Sequence, residues 1–229
     1  MSQSPIRLQA IDKSSGAVDA IPLAQPQRLF ECLYKPGKIG GCFEGEPGHA
    51  NFVVQKGKAH VRFRGVSYEL KKIHIHGESE HIVGQDDPHD MEIHLVHAPV
   101  GSPVASPLVV IGILFSACDR EPRSKYANAA FREFLKGAET KVCVELDPLD
   151  LFPRGVRGKP DTKEWFHYEG SLTGYPYSEN VSWIVMRNPS TIDQSIVEEF
   201  VEHAEQHRRE LQPLDRRLVV RSFLDTREM

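Results

Sequence analysis

Residues 71–98 read KKIHIHGESEHIVGQDDPHDMEIHLVHA and contain six of the eleven histidines in the chain. The stretch opens with an alternation in which Ile75 separates His74 from His76. Because successive side chains of a β-strand point to opposite faces, this spacing puts both imidazoles on one face and the neighbouring isoleucines on the other. The sequence therefore predicts a strand with one apolar face and one histidine face.

A second alternation follows at residues 92–96, where Glu92, His94 and Val96 fall on one face. The polar segment between the two alternations contains Gly84 and Pro88, which is typical of a loop that joins two antiparallel strands. If the two histidine faces coincide, three imidazoles converge. Three neutral histidines form a catalytic zinc ligand set that leaves a fourth tetrahedral position for water.

Other polar residues near these strands have a structural and a functional interpretation. Glu92 is placed to accept the second ring N–H of a ligand histidine, or else it is an exposed strand carboxylate. His97 faces away from His94 and is predicted to be a hydrogen-bonded core histidine. His203 and His207 are spaced i, i+4, but no glutamate follows the first of them as in HExxH, which favours solvated helix histidines.

Length and composition are those of an ordinary globular protein. The chain has 229 residues, a net charge of −4, 40% hydrophobic and 26% charged residues, and we expect one domain over residues 1–229. The mildly acidic charge gives no reason to expect nucleic acid or a membrane surface as partner. The apolar run at residues 108–115 is too short to span a bilayer and predicts a buried strand.

The N-terminus and the cysteines indicate a cytoplasmic protein. Residues 1–16 lack the basic segment and apolar core of a signal peptide. The four cysteines contain no CxxC pair, which disfavours a thiolate zinc site. Cys118 and Cys143 are interpreted as small core residues, and the thiols are expected to be reduced.

The remaining pattern predicts a mainly β (α+β) fold, with a large twisted, mostly antiparallel central sheet and a few peripheral helices. Residues 1–48 are interpreted as irregular. Strands are expected at residues 50–54, 59–63, 66–70, 108–115, 142–146, 181–186 and 218–223. A helix capped by Ser124 should end at Gly137, and a second should begin at Thr191 with Gln194 completing a capping box.

Several motifs, in this order, resemble the α-class carbonic anhydrases across almost the whole chain. They are QSPI at 3–6, GHA at 48–50, HIH at 74–76, SEH at 79–81, EIHLVH at 92–97, YEGSLTGYP at 168–176, VSWIVM at 181–186 and QPL at 212–214. The apolar strand at 108–113 is similar to the central core strand of that family. The resemblance implies reversible hydration of carbon dioxide to bicarbonate and a proton by zinc-bound hydroxide, with Zn²⁺ as cofactor and CO2/bicarbonate as the small-molecule partner.

The same resemblance implies a role for each matching residue. His74, His76 and His94 match the three zinc ligands. Thr173 matches the threonine whose hydroxyl accepts a hydrogen bond from the hydroxide, and Glu80 the buried carboxylate that accepts that threonine's proton. His49 matches the proton-shuttling histidine. The apolar wall that holds carbon dioxide is matched by Val96, Val110, Leu172, Val181 and Trp183.

The chain departs from the family pattern at four places. Gly77 follows His76 directly, where the family has a tryptophan, and the loop to Glu80 is shorter. Lys72 replaces the glutamine that accepts from the first ligand, so we expect His74 to use water or a backbone carbonyl and Lys72 to reach solvent. Gly174 and Tyr175 change the pocket mouth. The aromatic-rich segment that precedes QSPI in the family is missing, and the disulfide of secreted members is not evident.

Two other functions remain open at this stage. One is a non-catalytic or weakly active zinc-binding relative of carbonic anhydrase, which Lys72 and the short loop favour. The other is a zinc hydrolase acting on esters, which the apolar pocket and the absence of a cationic motif to hold a substrate argue against. A homodimer is also left open.

Overall fold

The strands form around the two histidine alternations. The computed structural model describes residues 1–9, 20–44, 51–57, 59–84, 87–104, 107–117, 125–200 and 208–224. Its strands are β1 (Arg7–Leu8), β2 (Ala20–Pro22), β3 (Phe30–Cys32), β4 (Ile39–Glu44), β5 (Asn51–Lys56), β6 (His60–Phe63), β7 (Val66–His76), β8 (Ile82–Val83), β9 (Met91–Pro99), β10 (Leu108–Ala117), β11 (Val144–Leu146), β12 (Trp165–Gly170), β13 (Val181–Met186), β14 (Ser190–Ile192) and β15 (Val219–Arg221). The helices are α1 (Lys125–Thr140) and α2 (Gln194–Phe200).

Thirteen strands form one sheet whose main path runs β11-β4-β5-β7-β9-β10-β13-β12-β15-β2. Most neighbours are antiparallel, and β10–β13, β10–β14 and β15–β2 are the parallel pairings among the described residues. A separate parallel pair joins β1 to β8. The predicted fold class is confirmed, and the histidine strands β7 and β9 lie side by side in the middle of the sheet.

The two faces of the central strands have different roles. One face, which includes Ile73, Ile75, Ile93 and Leu95, packs with both helices into the larger apolar cluster. The opposite face carries a smaller cluster that includes Trp183. The histidines of the two alternations lie on this second face. The alternation in the sequence thus separates the core from the site, as the period of two predicts.

A register shift between Leu70 and Lys72 sets which residues of β7 face the core. Leu70 is opposite His97 and Lys72 is opposite Val96, so β7 contains one extra residue at this point. Such a bulge reverses the alternation of faces beyond it. Leu70 and Ile73 consequently both enter the larger core although three positions separate them.

The observed elements correct several expectations. The described part of residues 1–48 is not irregular throughout, since it contains β1 to β4. Helix α1 continues past Gly137 to Thr140; this glycine is buried where a Cβ would come 2.9 Å from the Phe43 ring, so it permits close packing and does not end the helix. Thr191, interpreted as the start of the second helix, belongs to β14, and α2 begins at Gln194. Among the described helices, none is both long and apolar enough to cross a membrane.

The cysteine expectation was wrong for Cys143. It is exposed and forms a disulfide with Cys42, 101 residues earlier in the chain. The bond lies where β11 pairs with the edge of the sheet, because Val144 is opposite Gly41 on β4. The two cysteines meet through strand pairing that their surroundings in sequence do not indicate, and the expectation of reduced thiols fails for this pair. Cys118 lies outside the described residues.

We expect the Cys42→Ser/Cys143→Ser variant to unfold at lower urea concentration than the wild type, with a free energy of unfolding lower by about 2–4 kcal/mol, because the bond constrains the unfolded chain. Reducing agent should lower the wild-type midpoint toward that of the variant. Cys32→Ser, which removes a free thiol, is the control and should keep the full sensitivity to reductant. Separate, unlinked peptides containing Cys42 and Cys143 in a non-reducing digest would contradict the assignment.

Candidate metal centre

Three histidines converge on the second face of the sheet. The register of β7 and β9 puts His74 opposite His94 and His76 opposite Glu92. The ring centroids of His74 and His76 are 4.5 Å apart, those of His76 and His94 are 4.6 Å apart, and those of His74 and His94 are 6.3 Å apart. The predicted pairing of the two strands is therefore confirmed, and it brings all three imidazoles together.

Glu92 is completely buried and holds several groups of the site at once. One of its oxygens accepts the backbone N–H groups of Glu80 (2.9 Å) and His81 (2.8 Å). The other lies 2.7 Å from Nδ1 of His81 and 3.0 Å from Nε2 of His94. Burial acts to raise the pKa of Glu92, but the charges and hydrogen bonds of His81 and His94 outweigh it and hold that pKa well below its usual range. The expectation that Glu92 orients a ligand histidine agrees with this geometry.

A buried hydrogen-bonded chain continues from Glu92 to the N-terminal segment. Nε2 of His81 lies 2.8 Å from the Tyr168 hydroxyl, which donates to Oγ of Ser4 at 2.9 Å. Ser4 in turn accepts the backbone N–H of Ser171 at 3.0 Å. The chain connects the QSPI segment, the histidine strands and the loop that carries Thr173.

The partner of His74 differs from the expected one. Nδ1 of His74 lies 3.1 Å from Oδ1 of Asn51, which is directly opposite on β5. An imidazole that donates through Nδ1 keeps its Nε2 lone pair for a metal ion. The acceptor is thus a side chain on the neighbouring strand, where the sequence predicted water or a backbone carbonyl.

Glu80 reaches Thr173 despite the short loop that follows His76. The carboxylate of Glu80 is hydrogen-bonded to the Thr173 side chain, and its Oε1 accepts the backbone N–H of Arg209 at 3.1 Å. Burial raises the pKa of Glu80, and the hydrogen bonds from Thr173 and Arg209 oppose that rise. The charge of His94 and both hydrogen-bond donors favour the ionised carboxylate, whereas burial favours the protonated acid.

Two carboxylates lie near enough to the histidines to be considered as metal ligands. The sets are His76 with Glu80 and His94, and His81 with Glu92 and His94. Glu92 is already occupied by four donors. Glu80 lies 3.9 Å from Nε2 of His94, but that nitrogen is hydrogen-bonded to Glu92, so Nδ1 is the atom through which His94 would bind a metal ion. The donor chemistry therefore fits the three imidazoles better than a set with a carboxylate.

His76 is the most buried of the three imidazoles, with 2% of its surface exposed. Burial, followed by the charges of His94 and His74, lowers its pKa well below the usual range. Its Nε2 lies 3.3 Å from Oε2 of Glu80. Neutral imidazole is the form that binds metal, so the three rings and their neighbours suit a divalent zinc ion.

A cavity of about 400 Å³ opens above the histidines. His74 and His94 line it together with Thr173. Of the five residues predicted to form the apolar wall, four line the cavity, and Val181 is buried in the same apolar cluster. The four are Val96, Val110, Leu172 and Trp183.

The cavity is also lined by residues that do not belong to the predicted apolar wall. Lys72 lines it beside His74 and is only half-buried, so the cavity contains a cationic side chain. Gly174 and the exposed Tyr175 form part of the rim. A side chain at Gly174 would meet open space. The mouth of the cavity is therefore wide on the side of Thr173.

Of the other histidines discussed above, one is a core residue and three lie outside the described part. His97 is fully buried; its Nδ1 donates to the carbonyl of Val109 at 3.1 Å, its Nε2 lies 2.6 Å from the Tyr34 hydroxyl, and burial lowers its pKa to about 4. Its prediction as a core histidine is confirmed. His49, His203 and His207 lie outside the described residues.

Sequence reasoning missed three residues of this site, namely Asn51, Arg209 and Tyr168. Asn51 and Arg209 act on His74 and Glu80 through contacts between distant parts of the chain. A polar residue within an otherwise apolar strand at 51–54 is the signal that marks Asn51. No comparable signal in the sequence marks Arg209, because its backbone N–H is the donor.

The chain is similar to known proteins over nearly its whole length. A carbonic anhydrase from Nostoc sp. is 29% identical over 222 residues, which is 96% of this chain and 76% of that protein. A carbonic anhydrase-related protein from Rattus norvegicus is 27% identical over 69% of this chain and 59% of its own length. The solved structure of Photobacterium profundum alpha-carbonic anhydrase has a TM-score of 0.72 at 26% identity, covering 96% of this chain and 88% of that one. Since the profile of the eukaryotic-type carbonic anhydrases matches residues 2–223, the chain belongs to that family.

Proposed function

We propose that this protein is a zinc-dependent carbonic anhydrase that interconverts carbon dioxide and water with bicarbonate and a proton. The observation that carries the proposal is the convergence of His74, His76 and His94 beside an apolar cavity. Zinc held by these three imidazoles would lower the pKa of water to about 7 and so supply a nucleophile at neutral pH; carbonic anhydrase is a standard example of this effect. The remaining steps depend on the chain's own residues.

Thr173 orients the attacking water through Glu80. An ionised carboxylate only accepts hydrogen bonds, so the Thr173 hydroxyl donates its hydrogen bond to Glu80. The threonine oxygen can then only accept from a water molecule on the cavity side. That arrangement fixes the direction of the water lone pair, which is an orientation effect on the rate.

The apolar wall suits carbon dioxide, which carries no charge and makes weak hydrogen bonds. Val96, Val110 and Trp183 are each at most 5% exposed and present hydrocarbon surface next to the histidines. Substrate held there is close to the oriented water and is not competing with bulk water for the site.

Export of the proton requires a group that titrates near neutral pH, and His49 remains our proposal for it, by resemblance.

A weakly active zinc protein is the second candidate. Lys72 supports it, because a cation beside the first ligand histidine disfavours a second positive charge and changes the polarity of the cavity. The family also includes the carbonic anhydrase-related protein of the rat.

The wide mouth at Gly174 and the cation at Lys72 also favour ester hydrolysis as a side activity of the same site. Comparison of ester and carbon dioxide turnover would measure this activity.

The first test is metal content together with stopped-flow carbon dioxide hydration. Wild-type protein should contain one zinc per chain and accelerate hydration. His94→Ala should lower both zinc affinity and hydration rate by at least about 100-fold. Removing a metal ligand costs more affinity than removing the residue that hydrogen-bonds to that ligand. His60→Ala, on β6, is the matched control and should retain both. A wild type that binds zinc and gives no rate above buffer would eliminate catalysis in favour of the second candidate.

Glu80→Gln tests the orienting pair. The amide can donate to Thr173, which then turns its own proton toward the cavity, so we expect kcat/KM to fall by about 100-fold while zinc content stays at one per chain. Glu78→Gln, an exposed change at the Arg208 ion pair, is the control. Loss of zinc from Glu80→Gln, with activity restored by added zinc, would instead make Glu80 a metal ligand.

Lys72→Gln tests the cation in the cavity. Removing a positive charge beside the site should weaken the binding of small anions, and we expect the thiocyanate concentration for half-inhibition to rise by roughly 3- to 10-fold at constant ionic strength. Lys72→Arg keeps the charge and should behave like the wild type. Equal inhibition of Lys72→Gln and wild type would show that the ammonium does not act on ligands in the cavity.

A further inference from the structure

The first ligand histidine is held from a neighbouring strand. Two residues before His74, on the same face of β7, stands Lys72, whose ammonium has only donors. Nδ1 of His74 also needs an acceptor if Nε2 is to bind a metal ion. Oδ1 of Asn51 lies 3.1 Å from that Nδ1. All three residues line the cavity.

We propose that Asn51 is the positioning residue that fixes the ring orientation and tautomer of His74, in place of an acceptor at position 72. This inference rests on the zinc site proposed above. The amide oxygen accepts the Nδ1 proton, so the Nε2 lone pair points to the centre of the three rings. Asn51 touches neither substrate nor metal and acts through His74.

The sheet holds Asn51 where this role needs it. In the β5–β7 ladder Asn51 is opposite His74, and the next residue, Phe52, is opposite Ile73. Phe52 is fully buried and packs edge-on against the rings of Phe43 and Phe134. Because faces alternate along β5, anchoring the ring of Phe52 in the core directs the amide of Asn51 into the cavity.

The hydrogen-bond acceptors of His74 and His94 differ in charge. Nε2 of His94 is paired with the Glu92 carboxylate, while Nδ1 of His74 is paired with a neutral amide. A neutral acceptor fixes the tautomer with less increase in ring basicity than a carboxylate gives. It also leaves position 72 free to carry a cation, so positions 51 and 72 form one coupled pair.

The coupling predicts a rescue. Asn51→Leu removes the acceptor and should weaken zinc binding by about 10- to 100-fold, measured by competition with a chromophoric chelator. Adding Lys72→Gln to that variant supplies an acceptor on β7 itself and should recover most of the loss. In long-range ¹H–¹⁵N spectra of the zinc-loaded protein, Nδ1 of His74 should be the protonated nitrogen in wild type and in the rescued double variant.

Two further variants keep the test decisive. Asn51→Asp retains an acceptor and should hold zinc at least as tightly as wild type, which gives a readout even if Asn51→Leu folds poorly. Asn188→Leu makes the same change at an exposed turn after β13 and should leave zinc affinity unaltered. Unchanged zinc affinity in Asn51→Leu, or a tenfold weaker affinity in Asn51→Asp, would overturn the inference while leaving the zinc site standing. A wild type that binds no zinc would overturn the proposed function first, and the inference with it.

Discussion

The extra residue in β7 between Leu70 and Lys72 determines which side chains of this strand face the core and which face the cavity. Without it, the alternation that buries Leu70 would bury His74 and turn Ile73 toward the cavity, because a shift of one residue moves every side chain to the other face. With it, the isoleucines complete the larger core and the histidines meet their counterpart on β9. The candidate metal centre and the core therefore depend on the same local irregularity.

A buried carboxylate is the second requirement of this arrangement. Glu92 lies in the middle of the sheet with no exposed surface, and an unpaired charge there would cost several kcal/mol. Four donors compensate for it, and two of them are backbone N–H groups of the loop that carries Glu80. The group that orients His94 thus also positions the carboxylate that pairs with Thr173. Glu92 thus holds the end of the short loop that follows His76.

The sequence determined those features that follow from alternation within a single segment. Residues 73–76 and 92–96 predicted two strands with histidines on one face, and the apolar run at 108–115 predicted the central strand β10. Features that depend on the pairing of distant segments did not follow. Asn51 meets His74 and Cys42 meets Cys143 only through strand register, and a bulge such as that at residue 71 changes register without a distinctive residue type. The resemblance supplied residue roles but not these contacts.

Lys72 looked in the sequence like a defect in the support of the first ligand, and the structure changes that interpretation. An acceptor for His74 is present on β5, so the lysine does not deprive that ring of its hydrogen-bond acceptor. What it changes is the cavity, where an ammonium beside apolar walls favours anions over neutral molecules. Bicarbonate is the anion of the proposed reaction, and a cation that retains it would slow release in the hydration direction and aid binding in the reverse direction. Lys72 is therefore expected to affect the relative rates of carbon dioxide hydration and bicarbonate dehydration. It is not expected to decide whether zinc is bound.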